Sequence, residues 1–357
     1  MSQRRVLILL VAGLLVVGIA IFVASTRHLE RAKVAGDLVL PGLESTLNSI
    51  TEVHLSKGDS THTTLKKGAS GWMVGEREYP ADSGKVRKLL LDISSLNIVE
   101  EKTRLPANYP QLGVEDVNSP KATGTRVELM TPGKTFALII GKSSSAKSGF
   151  VRVASTEQSL LAAPLVTVDA DPKRWLDQTL LDLPMDRVKA IDAKPADGPA
   201  YTAARDKKEQ QDFTVTGVPK GRQLSSPAAA DPIAGSLSQL SLDDVRKSPE
   251  KSDAKLSQVV FHTFDGLDLT VAGHKDGTRT MIAVSASSTA KEHESEAQSL
   301  TARLGGWEFE IPSYKYDVIF RPLDDLLQKP PEAPKKPDKA AKADKAAPKA
   351  DAAAKAD

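Results

Sequence analysis

The sequence contains no cysteine. This absence excludes a disulfide scaffold, a thiolate metal site, a cysteine nucleophile and a lipidated N-terminal cysteine. A chain of 357 residues can instead bury a core large enough to need no covalent cross-links. A cysteine-free chain of this size fits an exported bacterial domain.

The chain has little net charge and few aromatic side chains. The 48 basic and 46 acidic residues leave a formal net charge of +2, so nothing indicates a nucleic-acid-binding protein. Aromatic residues make up 4% of the chain, and most of them lie in alternating, strand-like segments. They are therefore interpreted as core residues rather than as a stacking platform.

The N-terminal segment is predicted to be a transmembrane helix. The run from Val6 to Ala24 carries no charged side chain and would span about 28 Å as a helix, close to the hydrocarbon thickness of a bilayer. Two arginines precede it, which favours a cytoplasmic stub (1–5), a bacterial inner membrane and a periplasmic remainder that begins with a linker (25–44). The alternative is a cleaved signal peptide, although the apolar run is longer than is usual for one.

The C-terminal residues 329–357 are predicted to be a disordered tail. They are mostly Lys, Ala, Pro and Asp and include no large apolar side chain, so they cannot offset the entropy cost of ordering. A weak electrostatic contact with an anionic lipid or cell-wall polymer is an alternative role for this basic segment.

Between these ends, the sequence repeats itself. Residues 45–183 and 184–328 share an order of strand-like segments, one helix-like segment and further strand-like segments. Strands are indicated by alternating apolar and polar residues, with Gly or Pro in the turns between them. The predicted fold class is therefore α+β: a transmembrane helix, two duplicated modules of antiparallel strands with one main helix each, and a disordered tail.

The main helix of the first module is predicted from one apolar face. Val86, Leu89, Leu90 and Ile93 follow helical spacing, and Ser83 occupies the expected cap position. The second module places apolar residues in the same register, and they predict an equivalent helix. These residues are Ile233, Leu237, Leu240 and Leu242.

The second module departs from the first near its end. Residues 288–306 form an insertion rich in charged side chains, which is predicted to be a solvated helix or loop. Residues 307–320 alternate apolar and polar side chains and are predicted to be strand.

No motif assembles catalytic chemistry. The segment IIGKSSSAKSG resembles a phosphate-binding loop, but Phe136 stands where a Walker A motif needs its first Gly, so a hairpin turn is the simpler interpretation. No serine lies in a G-x-S-x-G elbow. The adjacent carboxylates Glu100 and Glu101, like Asp243 and Asp244, are interpreted as solvated surface rather than as an acid–base pair.

Metal binding has little support in the sequence. The six histidines show no H-x-x-x-H or H-E-x-x-H spacing. His54 and His62 could face each other across a hairpin, with Glu52 nearby, and hold a metal ion, but exposed strand histidines are the simpler interpretation. We therefore predict no metal site, no cofactor and no catalytic residue.

The order and spacing of these segments resemble the bacterial family named domain of unknown function 4340. The resemblance covers roughly residues 45–327 in two copies. It rests on the N-terminal anchor, ITEVHLSK, GWMV followed by ADSGKVRKLLLDISSL, LGV (112–114), LIIGK (138–142) with GFVRV, and RWLDQTLLDLPMDRVKAID. The second copy departs from the pattern, because AGHK replaces IGK and an extra loop intervenes.

This resemblance implies an accessory role. Members of the family are often auxiliary components of ABC-type export systems, including those associated with gliding motility. The expected function is that of a single-pass inner-membrane protein, held in the bilayer by Val6 to Ala24, whose periplasmic modules bind an ABC permease or ATPase without enzymatic activity.

The alternative function is that of a periplasmic module that holds a glycan or lipid in a groove between the two copies. Such a groove would be concave and apolar, with a few polar groups. Arg126, Arg152 and Arg174 are the candidate contacts for an anionic ligand or a partner.

Overall fold

The computed structural model describes residues 13, 15–19, 35–249 and 255–328. A nine-stranded antiparallel sheet forms the first module. Its strands are β1 (Glu52–Lys57), β2 (His62–Gly68), β3 (Gly71–Val74), β4 (Tyr79–Pro80), β5 (Asn97–Glu101), β6 (Thr125–Met130), β7 (Thr135–Ser143), β8 (Gly149–Val153) and β9 (Ser159–Ala163).

An eight-stranded antiparallel sheet forms the second module, and a two-stranded sheet of β10 and β14 joins the modules. The remaining strands are β10 (Thr179–Leu181), β11 (Val188–Lys194), β12 (Tyr201–Ala204), β13 (Thr214–Thr216), β14 (Leu240–Ser241), β15 (Asp244–Lys247), β16 (Ser257–Thr263), β17 (Leu267–Asp276), β18 (Arg279–Ser288) and β19 (Trp307–Glu310).

Helices are short and few in the part of the chain from residue 35 onward that the structure describes. The α-helices are α1 (Ser83–Ser94), α2 (Tyr109–Leu112), α3 (Asp231–Ala234), α4 (Glu294–Leu304) and α5 (Ser313–Ile319). The 3-10 helices are Glu44–Ser49, Pro106–Asn108, Pro172–Trp175, Met185–Arg187, Lys291–His293 and Leu323–Leu326.

The two large sheets repeat one strand order. The order is β4-β3-β2-β1-β6-β7-β8-β9-β5 in the first sheet and β13-β12-β11-β16-β17-β18-β19-β15 in the second. When the two orders are aligned with β1 opposite β11, every strand of the second sheet has a counterpart in the first. Only β4 has no counterpart, so the second sheet ends one strand earlier on that side.

The predicted α+β fold class is wrong, because antiparallel sheet dominates both modules. In the second module, the apolar residues expected on a main helix lie on the four-residue α3, on the turns after it and on β14. Gly235 caps α3, and Ser236 and Ser238 follow it in turns. Glycine and serine favour turns over a continuing helix. The apolar side chains predicted to lie on the helix are nevertheless buried.

The transmembrane part of that prediction is not borne out either. No helix within the described residues is long and apolar enough to cross a bilayer. The segment 6–24 lies outside the described residues except for 13 and 15–19, and so does the predicted tail 329–357.

Helix α1 has the predicted apolar face but a different cap. Val86, Leu89, Leu90 and Ile93 are buried, as the spacing predicts. The N-cap is Asp82 rather than the predicted Ser83. The Asp82 carboxylate accepts hydrogen bonds from the backbone N–H groups of Gly84 and Lys85, at 2.9 and 3.0 Å.

Residues 307–320 are strand only in their first part. Pro312 precedes α5 and ends the strand, and Tyr316 and Phe320 lie four residues apart, which places them on one face. A Cβ atom at Gly273 of β17 would lie 2.4 Å from Phe320 Cε2. Glycine at this position therefore lets the aromatic pair approach the strand.

The insertion 288–306 is only partly solvated. It forms α4, which packs along β18, with Ala297 and Leu304 buried. Of its charged side chains, Glu294 and Arg303 are exposed and Glu296 is half-buried.

One hydrophobic cluster contains buried residues of both sheets, so the modules share a continuous core. A smaller cluster of Tyr109, Val114 and Ile139 lies beneath α2. Because side chains alternate between faces along a strand, Ile139 points to the face opposite its neighbours Leu138 and Ile140, which belong to the main core.

Candidate functional site

Aromatic side chains hold the two modules together. Tyr79 of β4 packs edge-on against Trp307, with ring centroids 5.4 Å apart, and against Phe309, at 6.0 Å. Tyr79 is 3% exposed, so these contacts are shielded from water. Such edge-on pairs add to the stabilisation from burial alone.

A partly buried ion network also crosses this junction. Arg77 donates two hydrogen bonds to Asp244, at 2.7 and 3.1 Å, and Lys173 lies 3.2 Å from the same carboxylate and 3.7 Å from Glu310. Burial by itself raises the pKa of Asp244, but hydrogen bonds from Arg77 and from a backbone N–H outweigh it, so the pKa lies below its usual value. The carboxylate is therefore ionised at neutral pH and fixes both cations.

The groove at the junction is lined mainly by charged residues. It encloses about 350 Å³ between the β3–β4 turn and β15. Arg246 bonds to Glu308 and Asp276 there, at 2.8 Å each, and Lys247 pairs with Glu78 across the junction. A glycan- or lipid-binding groove between the copies was expected to be apolar. The groove observed here is instead lined by side chains of opposite charge that pair with one another.

Arg152, one of the three arginines named from the sequence, is a buried structural residue. It is 4% exposed and donates hydrogen bonds to Val114 O, Thr156 O and Asp116 Oδ1 at 2.9, 3.1 and 2.6 Å. Its guanidinium stacks over the Tyr109 ring at 4.7 Å. All of its donors are directed at the protein, and it holds the segment after α2 against β8.

The other two arginines do not converge with it. Arg126 lies on the same face of the sheet, because the register places Ile139 between Arg126 and Arg152, but it pairs with Glu128 at 2.7 Å. Arg174 belongs to a different region, beside the start of α1, where its carbonyl accepts a hydrogen bond from Lys85. No common anion site is formed by the three side chains.

The histidines and the lysine that were weighed as metal or phosphate ligands make local contacts. His54 bonds to Glu52 at 2.9 Å, whereas His62 bonds to its own turn at Ser60 O. Within the described residues, no group of three or more His, Asp or Glu side chains could hold a metal ion. Lys142 donates to backbone carbonyls of α2, at 2.9 and 3.3 Å, so it anchors that helix.

The second module carries a large polar groove of about 700 Å³ beside α5. Lys255 pairs with Asp197 at 2.9 Å, and Lys275 pairs with Asp317 at 3.2 Å. These ion pairs neutralise both lysine side chains that line the groove.

Among the described residues, β13 and β15 are the two edge strands of the second sheet. In the first module β4 covers the outer side of β3, but no described strand covers the outer side of β13. The side chains of this strand are exposed or half-buried. An unpaired edge presents backbone donors and acceptors that another chain can engage.

Val215 provides the outward-facing backbone groups of that edge. The amide of Arg205 donates to Lys189 O on β11 at 3.0 Å. Because backbone groups alternate in direction along a strand, the preceding residue Ala204 directs its groups to β13, where Thr214 is its partner. One residue further along, Val215 therefore directs its N–H and C=O away from β12.

A groove of about 460 Å³ adjoins this edge and is lined in part by Thr216, Thr202 and Asp192. His262 lies in it between two carboxylates, 2.8 Å from Asp268 and 3.2 Å from Asp192. Thr202 also donates to Asp192, at 2.7 Å. Both ring nitrogens of His262 are therefore engaged by carboxylates.

No local sequence motif indicates this edge site. The cluster joins residues of β11, β16 and β17, which are far apart in the chain and meet only through strand pairing. The one usable signal was the strand-by-strand match of the two copies, since it would have shown that the second copy has nothing equivalent to β4.

The fold and this edge define a duplicated antiparallel β protein whose two modules are joined by a shared core. A family model described as Domain of unknown function (DUF4340) matches residues 72–259. The match covers just over half of the chain and runs from β3 of the first module to β16 of the second, so the chain belongs to this family. Searches of curated proteins and of solved structures find no match.

Proposed function

We propose that this protein is a non-enzymatic binding subunit of an ABC-type transport complex, and that it engages a partner subunit by strand addition at β13. The link to transport is what the family resemblance implies. The single observation that supports the mode of binding is the open edge at β13, which contrasts with the β4-covered edge of the first module.

Strand addition draws its affinity from main-chain hydrogen bonds and its specificity from side-chain pockets beside the edge. Val215 supplies the main-chain donor and acceptor. The adjoining groove supplies a pocket in which Asp192 and Asp268 flank His262. This arrangement favours a partner strand that carries a basic or hydrogen-bond-donating side chain next to the edge.

The rigid connection between modules suits such a role. The aromatic contacts of Tyr79 and the ion pair of Arg77 with Asp244 fix the second module on the first. A partner held at β13 would therefore be held at a defined position relative to the whole chain, as a subunit of an assembly requires.

The test is purification of the tagged full chain from its native cells in mild detergent, with mass spectrometry of the proteins that accompany it. Val215→Pro removes the outward N–H and leaves the β12–β13 hydrogen bonds in place. Val215→Thr is the matched control, because it keeps the N–H. We expect an ABC permease and ATPase with the wild type and Val215→Thr, and at least about tenfold less of both with Val215→Pro.

Two results would contradict the proposal in different ways. If Val215→Pro, shown to be folded by its thermal unfolding, recovers both subunits at the wild-type level, the β13 edge is not the binding site. If the wild type recovers no transport subunit, the assignment to a transport complex is wrong.

A further inference from the structure

A fourth groove, in the first module, differs in its chemistry from the three described above. It lies between the 3-10 helix Glu44–Ser49, the β2–β3 hairpin and α1, and encloses about 520 Å³. We name it the α1 groove and define it by Leu47, Lys67, Trp72, Arg87, Leu90 and Leu91.

The floor of the α1 groove is apolar. Trp72 and Leu47 pack against the main core while remaining partly accessible, and Leu90 is buried beneath them. Leu91 is 52% exposed at the rim, which is unusual for a large apolar side chain beside an already apolar cavity. Water in contact with this surface would be released by an apolar ligand.

The rim of the α1 groove carries only positive charge. Lys67 lies beside Trp72 in the register of β2 and β3, and its ammonium donates only to Asn48 O, at 3.0 Å. Arg87 has no ion pair or hydrogen bond with any described residue. No Asp or Glu lines the groove, whereas the junction groove, the groove beside α5 and the groove at β13 all contain carboxylates.

The helix N-terminus does not compete for the anion. The carboxylate of Asp82 already occupies the first free backbone N–H groups of α1. An anionic group in the groove would therefore be met by the Lys67 ammonium and the Arg87 guanidinium, which suit carboxylate and phosphate oxygens.

We propose that the α1 groove binds a single-chain anionic amphiphile, taken up as a monomer, with its alkyl chain over Trp72 and Leu90 and its anionic head at Lys67 and Arg87. The volume lies within the range that holds one small-molecule ligand. This proposal rests on the α1 groove alone and is independent of strand addition at β13, which lies in the other module.

The test is calorimetric titration of the full chain, kept free of detergent, with dodecanoate below its micelle concentration. We expect saturable binding of one molecule per chain and roughly two- to fourfold weaker binding for each methylene removed, measured with decanoate and octanoate. Dodecanol, which has the chain without the charge, should bind at least about tenfold more weakly than dodecanoate.

Variants localise the site. Arg87→Gln should weaken dodecanoate binding about tenfold, whereas Lys66→Gln should not change it, because Lys66 points to the opposite face of β2. Leu91→Glu should abolish binding by placing a negative charge at the rim. Its matched control is Leu105→Glu, at a leucine that is 65% exposed elsewhere in the first module, and this variant should bind like the wild type.

Several outcomes would overturn the proposal. They are absence of saturable dodecanoate binding, equal affinity for dodecanol, and unchanged binding by folded Arg87→Gln or Leu91→Glu. Association only with vesicles of anionic phospholipid, without binding of the monomer, would also overturn it and would identify a membrane-surface contact instead.

Discussion

The two modules share one strand order but are completed differently at their margins. The first sheet gains β4 at one edge and is accompanied by the 12-residue α1. The second sheet leaves β13 open, has only the four-residue α3 in the corresponding segment, and gains α4 between β18 and β19. The sheet is thus the common scaffold, and the margins give each copy its own surface.

The glycines of the duplicated β7 and β17 strands show the same principle on a smaller scale. Gly141 and Gly273 stand at corresponding places in IIGK and VAGHK. A Cβ at Gly141 would lie 2.4 Å from the backbone oxygen of Leu112, whereas one at Gly273 would meet the end of the Phe320 ring. In both copies the glycine allows another segment to approach the strand closely, but the segment differs: it is the end of α2 at Gly141 and the Phe320 ring at Gly273.

The largest expected effect comes from breaking the contact between the modules. Tyr79→Ala removes a buried ring that packs on Trp307 and Phe309, and we expect it to lower the free energy of unfolding by about 4 kcal/mol. Because this ring belongs to the junction, thermal unfolding should also separate into two transitions. A single transition at the wild-type temperature would show that the modules do not depend on this contact.

A smaller effect sharpens the comparison of the two glycines. Gly141→Ala forces a fixed backbone segment to move and should cost about 3 kcal/mol, whereas Gly273→Ala displaces a side-chain ring and should cost about 1–2 kcal/mol. Chemical denaturation of both variants measures the difference. The explanation fails if Gly273→Ala is the more destabilising of the two.

A smaller effect than that of Gly141→Ala concerns the ion pair across the junction. Asp244→Asn leaves Arg77 and Lys173 without their carboxylate and should cost about 2 kcal/mol at neutral pH. The folded-state pKa of Asp244 is lowered, so its contribution is complete above the usual carboxyl pKa of about 3.9 and is lost as the pH falls through the lower folded-state value.

Unfolding curves of the wild type and Asp244→Asn, measured from neutral pH into the acid range, test this sign: their difference should shrink as the pH falls. Asp317→Asn, in an exposed pair of the second module, should change stability by less than about 0.5 kcal/mol. A difference that stays constant down to acid pH would contradict the assignment to Asp244.

Local patterns carried much of the strand and helix prediction. Alternation at Val53 and Leu55, or at Val259 and Phe261, marks strands whose alternate residues are buried. The apolar face of α1 likewise appears in its spacing. These features were readable because they depend on residues a few positions apart.

The wrong secondary-structure predictions fall in segments whose spacing of apolar residues suits two different structures. The spacing from Ile233 to Leu242 suits a helix, but turns around Gly235 bury the same side chains. The alternation after Pro312 suits a strand, yet Tyr316 and Phe320 also lie one helical turn apart and pack on Gly273. Which structure forms depends on what lies opposite, and no local pattern contains that information.

The candidate sites were less predictable still. The three candidate arginines, Arg126, Arg152 and Arg174, were chosen for their charge. Arg152, however, donates its hydrogen bonds to neighbouring groups of the protein. The α1 groove combines Leu47, Lys67 and Arg87 from three separate segments. Charge alone therefore did not distinguish a structural arginine from an accessible one.

Composition and periodicity were enough to exclude cysteine chemistry, to indicate a duplicated chain and to locate most strands, because those properties follow from residue type and short-range spacing. The open edge at Val215, the apolar floor beneath Lys67 and Arg87, and the ion network around Asp244 arise from contacts between distant segments. They exist only once the strands have paired and the two sheets have packed, since pairing sets which edge lacks a neighbour and packing sets which charges are buried.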